Sequence, residues 1–481
     1  TEHFDVYHYE AEHEAAVQSG RMLERWSSRL SRILNHEFRG RQPVVLYANH
    51  PDFEQTNATF SQIGEGTGGL TEPLKRRIVL PLGASLKESD HVLGHELVHA
   101  FQFDLAGIGP GATAAPVGLR MPLWFIEGMA EYLSIGSEDA FTTQWMRGAI
   151  QDTALPDWGD MNNQRRYFPY RYGHALLGYV GGRWGDDAIG QLLKTATRAP
   201  SMRQAFTSVL GIPTDTLIAD WHEALKEQQG PVLEATQSPE DLGRALASEE
   251  ASETEQNLGP SLSPDGDLMV FASERNLFSI ELFVMNTETG EIVRKLTETA
   301  RDPHFESLQW LSSTGAWSPD GERFAVAAVT KGDPVIAVFD PRTGEKLKEV
   351  RVPQVGEIFN PTWSPDGRRI AFSAQIAGFT DLYVMNVERG DVRRLTDDKY
   401  ADLQPSWAPD GSGIALVTDR YGSDLDQLHV PNYRLALADP STGEMEPVPV
   451  FEEGKHINPQ WGPGGRDLYF VSDRNGVANV Y

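Results

Sequence analysis

The chain has 481 residues, 69 of them acidic and 42 basic, for a net charge of −27, and it has no cysteine. That length calls for more than one domain, and an acidic chain with no basic patch excludes nucleic acid as a partner. The absence of thiols excludes disulfides and cysteine catalysis and fits either side of a bacterial membrane, while no apolar run is long enough to span a bilayer.

The first elements alternate. Residues 4–10 (FDVYHYE) read as a strand. A helix follows over 12–35, with Met22, Leu23, Trp26, Leu30, Ile33 and Leu34 at helical spacing. Residues 43–47 and 77–82 read as two more strands. Next comes His95-Glu96-Leu97-Val98-His99, an H-E-x-x-H pattern. Two histidines four apart share one face of a helix, so both imidazoles can grip one Zn²⁺, with Glu96 placed to activate a water. Leu93, Leu97, Val98, Ala100 and Phe101 give that helix an apolar face, and Ser89 and Asp90 are its candidate N-caps. Gly107, Gly109, Pro110, Gly111 and Pro116 make 105–122 a loop bordering the cleft, a surface loop rather than a lid. A second helix over 122–132 carries two carboxylates one turn apart, Glu127 and Glu131.

HELVH followed by W-F-I-E-G-M-A-E-Y resembles the gluzincin zinc metallopeptidases, the group of thermolysin and the zinc aminopeptidases. The resemblance implies that Glu127 is the third metal ligand and that Glu131 orients a ligand histidine from outside. Residues 169–179 (PYRYGHALLGY) are similar to the Y-E-K-G-x-x-L-L stretch of the zinc aminopeptidases, whose leading tyrosine donates to the oxyanion. Gly173 aligns that tyrosine with Tyr170. Tyr172 stands where those enzymes have lysine, which leaves the choice between the two tyrosines open. His174 reads as a helix-surface histidine. The G-x-M-E-N segment that binds a free amino terminus in aminopeptidases has no counterpart around Gly64, which favours an endopeptidase over an exopeptidase. The resemblance also implies an edge strand above the metal that pairs with substrate backbone, either 77–82 or 52–59. Helices over 187–194, 201–209 and 213–226 complete an α+β metallopeptidase domain at 1–226.

Residues 227–257 hold eight acidic groups and one basic group and read as an acidic linker. Residues 258–481 are a repeat. Ser263-Pro264-Asp265-Gly266 recurs at Ser318, Ser364 and Ala408, and in degraded form at Gly462; the prolines are 55, 46, 44 and 54 residues apart. Proline and Asp-Gly are turn formers, and each copy precedes short strands, so the half is an all-β propeller of about five blades, the last one cut. The tryptophans before the turns are expected between adjacent sheets. The motif resembles the TolB-type (PD40, WD40-like) propeller and implies an extracytoplasmic address, periplasmic or secreted. A chain starting at Thr1 fits a removed signal peptide, and one ending inside a blade is expected to continue.

The expected activity is that of a zinc metallopeptidase acting on a peptide or protein substrate, with Glu96 as base, Tyr170 at the oxyanion and the propeller binding substrate or a protein partner. The alternative is an inactive binding or scaffold protein of a larger extracytoplasmic assembly, working through the propeller.

Overall fold

The computed structural model describes residues 1–59, 63–64, 66–109, 121–246, 257–276, 279–297, 307–308 and 315–481. Most of the loop expected over 105–122, Gly111, Pro110 and Pro116 included, and much of the acidic linker lie outside them. The first half builds one mixed sheet. Strands β1 (Phe4–Tyr7), β2 (Gln42–Tyr47), β3 (Leu70–Glu72) and β4 (Arg77–Pro81) lie in the order β1-β2-β4-β3. The first three in that order are parallel, and β3 closes the edge antiparallel to β4. Neither segment expected to be the edge strand is one: 77–81 forms the inner strand β4, and His50–Glu54 is a short helix, α2. β4 is buried at four of its five residues, the pattern of a strand covered on both faces.

Two long helices cross this sheet. α1 (His13–Leu34) ends at Asn35, whose left-handed conformation caps it, and α3 (Leu86–Ala106) ends at Gly107 in the same way. α3 begins earlier than its sequence suggests. Its cap is Ser85, whose side chain accepts from Glu88 N, while Glu88 returns a bond from Ala84 N at 3.0 Å. Ser89 and Asp90 instead serve packing: Ser89 accepts from Gly83 N, and Asp90 accepts from Trp26 Nε1 at 2.8 Å. Gly94 is what lets α1 approach, since a Cβ there would come within 2.7 Å of the Trp26 ring. The helices α4 (Leu123–Ile135), α5 (Ala140–Gln151), α6 (Pro169–Trp184), α7 (Asp186–Ala196), α8 (Met202–Leu210) and α9 (Thr214–Ala235) pack behind. α9 runs nine residues past Lys226, where its apolar periodicity stops, and α10 (Pro239–Leu242) follows.

The second half forms five sheets. They are β5 (Asn257–Leu262) to β8 (Ile292–Lys295), β9 (Ser307–Leu308) to β13 (Lys346–Arg351), β14 (Glu357–Trp363) to β17 (Val392–Arg394), β18 (Asp402–Trp407) to β21 (Met445–Pro447), and β22 (His456–Trp461) to β24 (Asn479–Val480). Consecutive strands within each sheet pair antiparallel, except that β9 pairs with β11 rather than β10, and the antiparallel meander is what propeller blades require. The repeated turn is explained by its chemistry. Its glycines, Gly266, Gly321, Gly367, Gly411 and Gly465, all have φ between 65° and 80°, and the serine hydroxyl receives a backbone N–H five residues on in three copies. The tryptophans do sit between blades. Trp317, Trp363 and Trp461 each donate to a carbonyl on the preceding blade's inner strand, at 2.9–3.1 Å.

The propeller docks on the first half. Gln375 Nε2 donates to the carbonyls of Leu82 and Gly83, Tyr433 Oη donates to Ser85 Oγ, and Arg21 and Arg25 reach the carbonyls of Leu425, Asp426 and Leu428. Glu357, buried at the start of β14, accepts from His50 N at 3.4 Å, with Glu54 and Glu88 nearby. Burial raises the Glu357 carboxyl to about 7, and Glu88 is raised for the same reason. Burial pulls His50 down, but Glu54 and Glu357 outweigh it and raise it. A raised folded-state pKa contributes stability that is complete below the unfolded value and lost as pH rises through the folded one. All three groups thus favour docking in acid. We expect wild-type stability to fall from about pH 5 to about pH 8, and Glu357→Gln to remove much of the decline, gaining up to about 3 kcal/mol at the upper end. A calorimetric pH series on both proteins checks this.

Candidate metal centre

The centre lies where α3, α4 and α6 meet. On α3, His95 and His99 stand one turn apart, and their Nε2 atoms are 3.1 Å from each other. Glu127 of α4 places Oε2 3.2 Å from both. Three donor atoms on a triangle with 3.1–3.2 Å edges match three corners of a tetrahedron around one ion, for which metal–ligand distances near 2.0–2.1 Å give edges of about 3.3 Å. All three residues are buried.

The other imidazole nitrogens are already engaged, which aims the inner ones. His95 Nδ1 donates to Glu131 Oε1 at 3.0 Å, and His99 Nδ1 donates to Gln102 Oε1 at 2.9 Å. Gln102 is itself fixed by donating to the Ile126 carbonyl on α4. Glu131 accepts from Arg171 at 3.1 Å, and Arg171 packs over the Phe141 ring. A second group able to hold a metal, His91, His95 and Glu131, borrows His95 and Glu131 from this arrangement; His91 is the most exposed member, 3.6 Å from Glu131.

The electrostatics favour positive charge. Burial alone would lower His95, but Glu127 and Glu131 reverse this and raise it to about 10. Burial would lower His99 too, but Glu127, with Glu96, raises it. Burial would raise Glu127, yet the two histidines hold its carboxyl well below the usual range, and Glu131 is also lowered. Protons on the imidazoles here balance the carboxylates, a charge that a divalent cation would supply instead.

Glu96 lies beside the triangle on α3, buried, with Thr71 Oγ1 donating to its Oε2 at 2.7 Å. Tyr170, in the first turn of α6, stacks on His95 with ring centroids 5.8 Å apart and hydrogen-bonds Glu127. Burial, then Glu127 and Glu96, raises its hydroxyl, which keeps it a donor. Tyr172 lies away from the triangle, packed in the core against Tyr167 and Trp145. His174 is not on the helix surface. It is 1% exposed and bonded to Thr142 and the Gly136 carbonyl, a core histidine that ties α6 to α5. Gln102 and Thr71 are partners that the motifs do not contain, and Arg171 lies inside the 169–179 segment with no role there that the segment alone reveals. The i+3 spacing from His99 is a signal for Gln102; Arg171 and Thr71 act across elements.

Glycine sets the α4–α6 crossing. A Cβ on Gly128 would fall 2.3 Å from the Gly173 backbone, and one on Gly173 would fall 1.9 Å from the Trp124 carbonyl oxygen. The glycine beside Glu127 and the one three residues after Tyr170 therefore touch backbone to backbone.

Two family models match. Residues 81–221 match "Peptidase of plants and bacteria" and residues 305–432 match "TolB beta propeller domain". The chain is 27% identical over 253 residues to a TolB homolog of Chlorobium luteolum, which covers 52% of each chain. It is 26% identical to the uncharacterized peptidase YuxL of Bacillus subtilis, over 34% of this chain and 22% of that one. The chain thus spans about half, or less, of these relatives' lengths. Among solved structures, TolB from Acinetobacter baumannii aligns over 47% of this chain and 53% of that one at 22% identity, with a TM-score of 0.33. A peptidase-type domain is joined here to a TolB-like propeller.

Gly173→Ala is expected to cost more than about 3 kcal/mol, because backbone cannot yield to the added methyl as a side chain could. Urea denaturation measures that loss, and metal titration of any folded fraction should show weakened binding as Glu127 is displaced.

Proposed function

We propose that this chain is a zinc-dependent peptidase of the gluzincin type, an endopeptidase, with His95, His99 and Glu127 as ligands. The observation that carries this reading is the buried triangle of donor atoms, with a carboxylate outside the triangle, Glu96, and a phenol, Tyr170, beside it. Two imidazoles and a carboxylate are a usual donor set for catalytic zinc, leaving a position open. When bound, the ion would polarise water and the scissile carbonyl. Glu96 would take the proton from the attacking water and deliver it to the departing amine. Tyr170 would donate to the oxygen that gains charge. Glu131 and Gln102 would keep each Nδ1 protonated, so that each Nε2 lone pair faces the centre. The match to a peptidase family over residues 81–221 supports the reaction class.

The propeller would bind substrate or a protein partner. Its inner strands line a channel of about 810 Å³ with prolines and tryptophans from successive blades. That channel also favours the second reading, a scaffold whose metal site has lost its reaction. No described helix is long and apolar enough to cross a membrane. The likeness to TolB supports an extracytoplasmic address, periplasmic or secreted.

Glu96→Gln should retain stoichiometric zinc by elemental analysis while cleavage of N-blocked peptides falls by at least about 100-fold. His99→Ala should lose the metal as well. Zinc at full stoichiometry with no cleavage of any peptide by the wild type would favour the scaffold, and an active Glu96→Gln would reject the mechanism.

A further inference from the structure

The edge strand β3 does more than border the cleft. Thr71 Oγ1 lies 2.7 Å from Glu96 Oε2 and 2.8 Å from the Glu96 carbonyl oxygen, so its single proton is shared between two acceptors of one residue. Two positions earlier, on the same face of the chain, Gly69 meets the same side chain. A Cβ there would sit 3.0 Å from Glu96 Cγ and 3.2 Å from Glu96 Oε1, with Val92 equally close. One carboxylate oxygen is thereby held by a hydroxyl, and the other has room only because residue 69 lacks a side chain. Backbone pairing of Leu70, Thr71 and Glu72 with β4 fixes the strand from which both contacts come.

We propose that Thr71 is a positioning residue for the general base. Its hydroxyl anchors Glu96 Oε2 and so leaves Oε1 as the atom that takes the proton from water, while Gly69 keeps that oxygen uncrowded. A hydrogen bond to a carboxylate is stronger than one between neutral groups and holds a geometry that a free glutamate side chain, with three rotatable bonds, would not keep. No bond to Thr71 forms or breaks in the reaction. The same strand presents the sheet's outer edge, so substrate laid along it would meet a base already oriented by that strand. This inference rests on the peptidase reading.

The test uses the full chain with zinc and an N-blocked peptide, and compares Thr71→Val, Thr71→Ser and Gly69→Ala. Thr71→Val should lower kcat by about 10–100-fold with KM within about twofold and zinc content unchanged. Thr71→Ser should restore kcat to within about threefold of wild type, which a role for the threonine methyl alone would not allow. Gly69→Ala should also lower kcat. Independently of activity, the melting-temperature shifts of Thr71→Val and Glu96→Gln should fail to add in the double variant by about 2 °C or more. An unchanged kcat in Thr71→Val, a Thr71→Ser as slow as Thr71→Val, or additive shifts would each overturn the proposal while the peptidase reading stands. A wild type that cleaves nothing defeats the parent reading, and the catalytic role of Thr71 falls with it.

Discussion

Three buried carboxylates, Glu96, Glu127 and Glu131, share one pocket with two imidazoles. Uncompensated carboxylates in such a place would cost several kcal/mol each, so the pocket must contain positive charge. The local structure follows from that constraint. Each imidazole spends Nδ1 on an outer acceptor and turns Nε2 inward, so that both inner nitrogens meet one Glu127 oxygen. Arg171 closes the outer side by pairing with Glu131. An ion at the centre would complete the balance that ring protons otherwise provide.

Such convergence demands helices closer than side chains normally permit. α4 brings Glu127 and α6 brings Tyr170, and the two helices meet through Gly128 and Gly173 with no side chain between them. The W-F-I-E-G-M-A-E-Y and Y-R-Y-G segments are therefore two halves of one contact. Seen alone, each glycine looks like a weak point in a helix. Together they remove the volume that would hold Glu127 and the phenol apart.

Much of this was legible without coordinates, for a physical reason. The i, i+4 histidines and the Trp-to-Glu helix are local patterns, and the S-P-D-G turns recur because a tight turn admits few residues. What escaped were contacts across elements. The edge strand is three residues long, too short to carry a periodic signal, whereas 77–82, with Ile78, Val79, Leu80 and Leu82, reads plainly as a strand. Ser85 caps α3 several residues ahead of the regular apolar spacing, so nothing local marks it as the cap. His174 looked like a surface residue because nothing in its own helix shows that Thr142 and Gly136 would surround it.

The same logic of cross-element contacts joins the two halves of the molecule. Glu357 on the propeller meets His50 N, and His50 Nε2 donates to the Thr67 carbonyl at 3.1 Å. Four residues on, Thr71 holds Glu96. Between the propeller and the carboxylate beside the metal triangle there are thus one side chain, His50, and one short extended segment. That segment contains Gly68 and Gly69, and its strand is paired on only one side. The strand is held along β4 by backbone pairing, and the residues just before it are held at Thr67 by His50, whose charge the buried Glu357 helps to maintain. The docked propeller is therefore linked to Glu96 through His50 and this segment, and it touches the start of α3, the helix that carries Glu96, through Tyr433 and Ser85.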